Sequence, residues 1–369
     1  MLPSVNGLIE NERNTIDQSI VYIICSLKKQ PENKYPIPMN KAILLNNRPV
    51  GKPTADDFKF IEEESPVTQE GQILLKTLYV SVDPYLRGRM SSAKSYVTPF
   101  ELNKPIQSGI IAEVVESKNI DFKVGDCVSG ILAWKELQVS SGKGLHKVDG
   151  NVAPLSAYLG VLGMTGLTAY LGLTEIGRPK AGETLVVSGA AGAVGSIVGQ
   201  IGKILGCRVI GMAGSDEKTT MLTSKFGFDA AINYKTTTDM NTAIANAAPN
   251  GVDIYFDNVG GDISDAVLAN LNKFARVPVC GAISTYNETE VPMGPRVQTI
   301  LVKNSVLMQG FVVSNYAAKF PEAIKQLVTW LQEAKLTYTE TIVNGFDHIP
   351  QAFLDLFEGK NEGKMIVKI

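Results

Sequence analysis

The run Thr184–Lys218, TLVVSGAAGAVGSIVGQIGKILGCRVIGMAGSDEK, limits the folds open to this chain more than any other segment. An apolar strand pattern is followed by a glycine-rich turn, by apolar residues at helical spacing, and then by a second apolar strand. Strand, helix and strand in this order form a βαβ unit, whose two strands lie parallel in one sheet. The pattern continues down the chain. Strands are predicted at Thr184–Ser188, Arg208–Ala213, Ala230–Tyr234, Val252–Asp257, Val277–Gly281 and Leu307–Val313, with helical patterns between them. Six such strands predict an α/β fold built on a doubly wound parallel sheet, spanning about 164–333. Its last helix is predicted at Phe320–Glu333, with Ala323, Leu327, Trp330 and Leu331 on the apolar face.

The turn carries the spacing GxGxxG of Rossmann dinucleotide-binding sheets, with Ala190 in the first glycine place and Gly192 and Gly195 in the others. A helix starting at Gly192 would present unpaired N–H groups and a positive dipole end to a pyrophosphate, which makes Gly192, Ala193, Val194 and Gly195 the candidate contacts. Gly195, Gly199 and Gly202 recur at helical spacing and predict a helix lying close on the sheet. The glycine spacing alone is a weak signal, and the surrounding strand–turn–helix–strand order is what favours a nucleotide site over a structural turn. After the second strand an NAD site usually has Asp or Glu for the ribose 2′-OH, whereas this chain has Ala213-Gly214-Ser215, with Lys218 one turn on. A hydroxyl and an ammonium suit a 2′-phosphate, so NADP is favoured over NAD. Asp216 and Glu217 read as capping and dipole partners of the next helix, and taken alone Lys218 would also suit a solvated helix face.

Outside this domain the grammar differs. Short strand-like runs (ILLKTLYVSV, IIAEVVES, DCVSGIL) broken by turn residues predict an irregular β-barrel or sandwich over about 39–163. The tail, 334–369, returns to short strands and turns and is expected to rejoin that first domain. Residues 1–38 show no consistent pattern and end in YPIPM, so they are expected to be a disordered, dispensable extension with Met39 as a candidate start. Their apolar run, Ile20–Leu27, is too short to span a membrane and lacks the flanks of a signal peptide. With 35 Lys+Arg against 37 Asp+Glu and no long basic run, the chain offers no footprint for nucleic acid or an anionic membrane, which leaves a small molecule as the expected partner. Cys25, Cys127, Cys207 and Cys280 form no CxxC and point to a reducing, cytoplasmic compartment. His146 and His348 are the only histidines, so no metal site, and zinc in particular, is expected.

Several unrelated stretches then agree, in order, with one family: VDPYLRGRM (82–90), GMTGLTAYLGL (163–173), SGAAGAVGS (188–196), AGSDEK (213–218), INYK (232–235), YFDNVGG (255–261), CGAISTYN (280–287), MQGFVVS (308–314) and GKMIVKI (363–369). From Met39 onward the chain resembles the zinc-independent medium-chain dehydrogenase/reductases, within the prostaglandin reductase, alkenal double-bond reductase and bacterial curcumin reductase group. That resemblance implies a chaperonin-10-like barrel joined to a Rossmann domain, NADPH as cofactor, and homodimers joined through the Rossmann domain. It implies that Lys218 and Tyr234 hold the 2′-phosphate with help from Ser215. Cofactor contacts are implied at Asn258, Cys280, Phe311, Val313 and Asn361. Read bottom-up, Cys280, Phe311 and Val313 would equally suit a core.

The same resemblance makes Tyr286 and Tyr85 the catalytic candidates. A phenol stays protonated at pH 7 and can donate to an oxygen that becomes negative. Each hydroxyl could instead close a buried hydrogen bond. Two roles stand open for Tyr286, proton donor or enolate stabiliser. The resulting expectation is NADPH-dependent reduction of the carbon–carbon double bond of an enone or enal substrate. A quinone reductase of the same superfamily and a non-catalytic NADPH-binding module are the rivals.

Overall fold

The structure is a computed structural model that describes residues 39–369; the predicted extension, 1–38, lies outside the described residues. The first elements are β1 (Met39–Leu45), β2 (Phe58–Glu64), β3 (Ile73–Ser81), α1 (Leu86–Met90), β4 (Gln107–Ser117), β5 (Cys127–Ala133), β6 (Leu137–Ser140) and β7 (His146–Val148). Then follow α2 (Met164–Leu171), β8 (Thr184–Val187), α3 (Gly195–Ile204), β9 (Arg208–Ala213), α4 (Asp216–Ser224), β10 (Ala230–Asn233), α5 (Met240–Ala247) and β11 (Val252–Phe256). The chain closes with α6 (Gly261–Leu268), β12 (Leu271–Val279), α7 (Gln298–Asn304), β13 (Leu307–Gly310), α8 (Phe320–Gln332), β14 (Glu340–Asn344), α9 (Ile349–Leu356) and β15 (Lys364–Lys368).

Strands β8 to β13 form a six-stranded parallel sheet in the order β10-β9-β8-β11-β12-β13, which reverses direction between β8 and β11. That reversal is the switch point at which an open α/β sheet binds its ligands, beyond the carboxyl ends of the strands. All four residues of β8 are buried, as a strand covered on both faces requires. Helix α3 begins at Gly195, with Val194 as its N-cap, three residues later than the sequence predicts. The turn between Gly189 and Gly192 is closed first by its own backbone bond, Gly192 N–H to Gly189 O at 3.0 Å. Each glycine of α3 marks a close approach. A Cβ on Gly195 would stand 2.4 Å from Gly189 O, one on Gly199 would enter the Phe228 ring, and one on Gly202 would meet Leu185 of β8.

The other sheet has seven strands, with the path β14-β15-β3-β4-β5-β7 and β6 paired to β3, and a separate ribbon joins β1 to β2. The tail contributes β15, antiparallel to β3, and β14, parallel to β15. It also contributes α9, where only strands and turns were expected; Ile349, Ala352, Phe353 and Leu356 are spaced for one helix face and are buried. Phe353 meets Phe58 edge-on at 6.2 Å, Phe58 stacks with Trp134 at 6.3 Å, and the Trp134 indole N–H donates to Ser108 Oγ at 2.8 Å.

One buried ion pair ties this sheet to the turn after β3. Lys364, 4% exposed, lies 3.2 Å from an Asp83 carboxylate oxygen and donates to the carbonyls of Val82 and Met365, both at 2.8 Å. Ser81 Oγ donates to the other oxygen of Asp83. Burial pushes the Lys364 ammonium below its ordinary pKa, and the charge of Asp83 opposes that shift. Asp83→Asn should therefore cost about 3–5 kcal/mol in urea unfolding, because it leaves an uncompensated buried charge. The double variant Asp83→Asn/Lys364→Met should lose less than the two single losses summed. Additive losses would show that the two groups are not coupled.

Candidate functional site

A cleft of about 1170 Å³ opens between the carboxyl ends of the parallel sheet and the segment that follows β3. The glycine-rich turn supplies its floor, with Gly192, Ala193, Val194 and Gly195 all lining it. The turn is gripped from the tail side, where the Gly363 N–H donates to Ala191 O at 2.8 Å and Gly192 pairs with Gly363 as an isolated parallel bridge. Gly363 is held at φ +62°, and a Cβ there would lie 1.9 Å from Thr339 O, so this crossing tolerates only glycine. Asn361 lines the same wall and spends its side-chain N–H on Gly363 O at 2.8 Å.

Lys218, Tyr234 and Lys235 all line the cleft, and Tyr234 and Lys235 lie over Gly214, where a Cβ would stand 2.6 Å from the Tyr234 hydroxyl oxygen. Lys218 donates to Gly359 O at 2.6 Å. Its pKa is lowered by burial, raised by Glu362 and lowered again by the neighbouring charge of Lys235. Burial raises the Tyr234 phenol. Ser215 does not line the cleft. Its hydroxyl caps α4, accepting from the Lys218 backbone N–H at 3.3 Å. Lys235 was missed from sequence, although it directly follows Tyr234 in the INYK stretch.

The loop after β11 is organised by Asp257, which sequence reasoning also passed over. Its buried carboxylate accepts from Ser188 Oγ, the Tyr255 hydroxyl, the backbone N–H groups of Val259 and Gly260, and Ser264 Oγ, at 2.8–3.1 Å. A carboxylate answered by this many donors sets the path of the following backbone. Asn258 consequently faces the cleft with its side-chain N–H on Ser188 O at 2.8 Å. Cys280, just beyond β12, lines the cleft with a thiol that burial pushes up to about 12. Phe311 and Val313 line the opposite side. Phe311 meets Phe256 edge-on at 6.2 Å, and Gly172 keeps clear the space its ring occupies.

Both tyrosine candidates reach this cleft. Tyr286 packs over Gly281, and its hydroxyl oxygen accepts the Ala282 N–H at 3.3 Å. Its own O–H has no acceptor among the described residues. Burial raises its pKa and the Ala282 bond lowers it. The hydroxyl of Tyr85, from the turn before α1, makes no hydrogen bond to any described residue. Burial first, and then the charge of Asp83, holds its phenol well above its ordinary pKa. A neighbour missed from sequence, Arg87, bridges the two sides. Its Nε donates to Asn287 Oδ1 at 3.2 Å, beside Tyr286, and one terminal nitrogen donates to the carbonyls of Pro49 and Gly51.

Comparison with known proteins shows the family. Residues 41–148 match the family described as the N-terminal domain of oxidoreductase, and residues 193–332 the one described as zinc-binding dehydrogenase. A Bacillus subtilis (strain 168) protein named as an NADP-dependent oxidoreductase is 59% identical over 329 residues, covering 89% of this chain and 97% of its own. The NADPH-dependent curcumin reductase of Escherichia coli (strain K12) is 43% identical over 335 residues, with the same two coverages. The structure of CurA from Vibrio vulnificus in complex with NADPH matches with a TM-score of 0.85 at 42% identity, over 89% of this chain and 98% of that one. The chain belongs to the medium-chain dehydrogenase/reductase family, in the group that contains the curcumin reductases.

Proposed function

We propose that this protein is an NADPH-dependent reductase of the carbon–carbon double bond in α,β-unsaturated ketones and aldehydes. The observation that carries this reading is the presence of two neutral phenols, Tyr286 and Tyr85, in the same cleft as a glycine-rich turn and a cationic corner. The relatives named for NADP dependence and for curcumin reduction support it.

The residues present fit a phosphorylated dinucleotide. Gly192 and Gly195 hold the turn where side chains would crowd it, and the N-terminus of α3 brings the positive end of its dipole to the place a pyrophosphate would take. Lys218, Lys235 and Tyr234 supply donors for a 2′-phosphate. Asn258, Cys280, Phe311, Val313 and Asn361 line the rest of the cleft and would hold the remaining length of the cofactor. When bound, NADPH supplies a hydride to the β-carbon of the substrate. Negative charge then moves through the conjugated system to the carbonyl oxygen, where the Tyr286 O–H donates a hydrogen bond to the enolate, and a proton taken up at the α-carbon completes the saturated carbonyl product. Burial keeps that phenol protonated at neutral pH. Tyr85 is the second donor, its hydroxyl uncommitted to any described residue.

This chemistry asks for hydrogen-bond donors at the oxygen rather than a Lewis acid, and among the described residues no three His, Cys, Asp or Glu side chains are grouped to hold a metal ion. We therefore read the enzyme as zinc-independent. No described helix is long and apolar enough to cross a membrane. With its scattered free thiols and balanced charge, the protein is read as cytoplasmic and as indifferent to nucleic acid. A homodimer through the parallel-sheet domain is the expected assembly, since β13 ends the six-stranded sheet.

Lys218→Ala should weaken NADPH binding by about 10- to 100-fold and leave NADH nearly unaffected. Equal losses for both would refute the 2′-phosphate assignment. Tyr286→Phe should lower kcat for a simple enone by about 10²–10³-fold with little change in NADPH affinity. A loss of less than about 10-fold would place the main oxyanion donor elsewhere.

A further inference from the structure

Two phenols from distant parts of the chain meet in the cleft. Tyr85 lies just before α1, beside the seven-stranded sheet, and Tyr286 follows β12 of the parallel sheet. For both hydroxyls to serve one oxygen the two segments must keep a set spacing, because such a donor works only at about 2.7–3.1 Å from the place of the oxyanion. Arg87, 7% exposed, lies two residues after Tyr85. Its Nε donates at 3.2 Å to Oδ1 of Asn287, the residue after Tyr286. One hydrogen bond thus joins the two phenol-bearing segments next to the phenols themselves.

A third segment meets the same guanidinium. One terminal nitrogen donates to Pro49 O at 3.2 Å and to Gly51 O at 2.8 Å, both in the loop between β1 and β2. That loop also packs on the Tyr286 segment directly: Gly51 is held at φ +74°, and a Cβ on it would stand 3.7 Å from Thr289 Cγ2 and 3.8 Å from Asn287 O. A guanidinium is planar and its donors point in fixed directions, so acceptors bonded to it are fixed relative to one another. A role in tethering the β1–β2 loop would account for the two carbonyls alone. Arg48 has such a role, since its terminal nitrogens donate to the carbonyls of Met90 and Phe100 at 3.0 and 2.9 Å. Tethering leaves unexplained why the buried Arg87 also reaches a side chain that lines the cleft, that of Asn287.

We propose that Arg87 is a positioning residue for the reduction, setting the spacing between Tyr85 and Tyr286 so that both hydroxyls bear on the same enolate oxygen. Arg87 does not itself line the cleft, so it acts through the two phenols and not on the substrate. The assignment rests on the double-bond reductase reading and deepens it.

The test is a set of double-variant cycles on kcat for a simple enone, with NADPH affinity measured alongside. Arg87→Gln should lower kcat by about 10- to 100-fold through lost alignment, and leave the NADPH Kd within about 2-fold of the wild type. Asn287→Ala removes one hydrogen bond from a half-buried side chain, so it should fold normally and lower kcat by about 3- to 10-fold. It serves the same cycles if Arg87→Gln does not fold. Placed in the Tyr286→Phe background, either substitution should lower kcat by less than about 3-fold, because no second hydroxyl is left to align. Additive losses in that cycle, or NADPH affinity falling in step with kcat, would overturn the proposal.

A second measurement is independent of turnover. Para-nitrophenolate, an oxyanion probe, is titrated into the NADP⁺-saturated protein and followed by absorbance. It should bind the wild type more tightly than Tyr286→Phe, Tyr85→Phe or Arg87→Gln, and adding Arg87→Gln to either phenol variant should change its affinity little. Equal behaviour of the wild type and Arg87→Gln toward this probe would overturn the assignment. Absence of enone turnover by the wild type, together with the expected pattern of phenolate binding, would count against the reductase reading and leave the Arg87 assignment standing.

Discussion

The buried pair of Lys364 and Asp83 sets the frame in which the cleft is assembled. An ammonium group in a core is tolerated only when its charge and its protons are all answered, and here one carboxylate and two carbonyls answer them. Asp83 lies two residues before Tyr85, and Lys364 directly follows Gly363, whose N–H is bonded to the glycine-rich turn. Fixing the pair therefore fixes a candidate catalytic phenol and the cofactor floor relative to each other, although about 280 positions of chain separate the two segments. The tail extends the same frame to the phosphate corner, since Lys218 is held by Gly359 O.

Electrostatics divides the cleft along its length. Lys218 and Lys235 raise the positive potential at one end, where their mutual repulsion is relieved best by a dianionic phosphate. In the middle, burial keeps groups neutral: it raises the Tyr286 phenol and carries the Cys280 thiol to about 12. A thiol so shifted stays protonated at neutral pH and is a poor nucleophile, which protects the cleft from alkylation by the electrophilic substrates proposed for it. Asp257 contributes to this arrangement at a distance, by holding the backbone that carries Asn258 and receives the Cys280 N–H.

The parallel sheet was legible because its strands are short apolar runs separated by glycine turns and helical spacing, and five of its six predicted strands lie within a few residues of the observed ones. The exception is β12, which begins at Leu271 rather than Val277 because its first six residues, LNKFAR, mix polar with apolar positions and are interrupted by Phe274 at φ +64°. Strand β13 stops at Gly310, where the chain turns into a short helical segment at Val313–Lys319. Helix α9 had a readable spacing that the surrounding turn residues obscured. Of the site, the glycine turn and the Lys218–Tyr234 corner were readable from local pattern or family resemblance. Arg87 and the Lys364–Asp83 pair were not, because their partners lie far away in sequence, and Asp257 was not, because a charged side chain reads as solvated until the fold buries it.

The central claim is that hydride reaches the β-carbon of a conjugated carbonyl whose oxygen is held by donors from this cleft, principally Tyr286. Incubating the enzyme with a simple enone and NADPH carrying deuteride at the transferable position, followed by mass and NMR analysis of the product, tests it directly. The account predicts a saturated ketone with deuterium on the β-carbon. An allylic alcohol with deuterium on the carbinol carbon would contradict it.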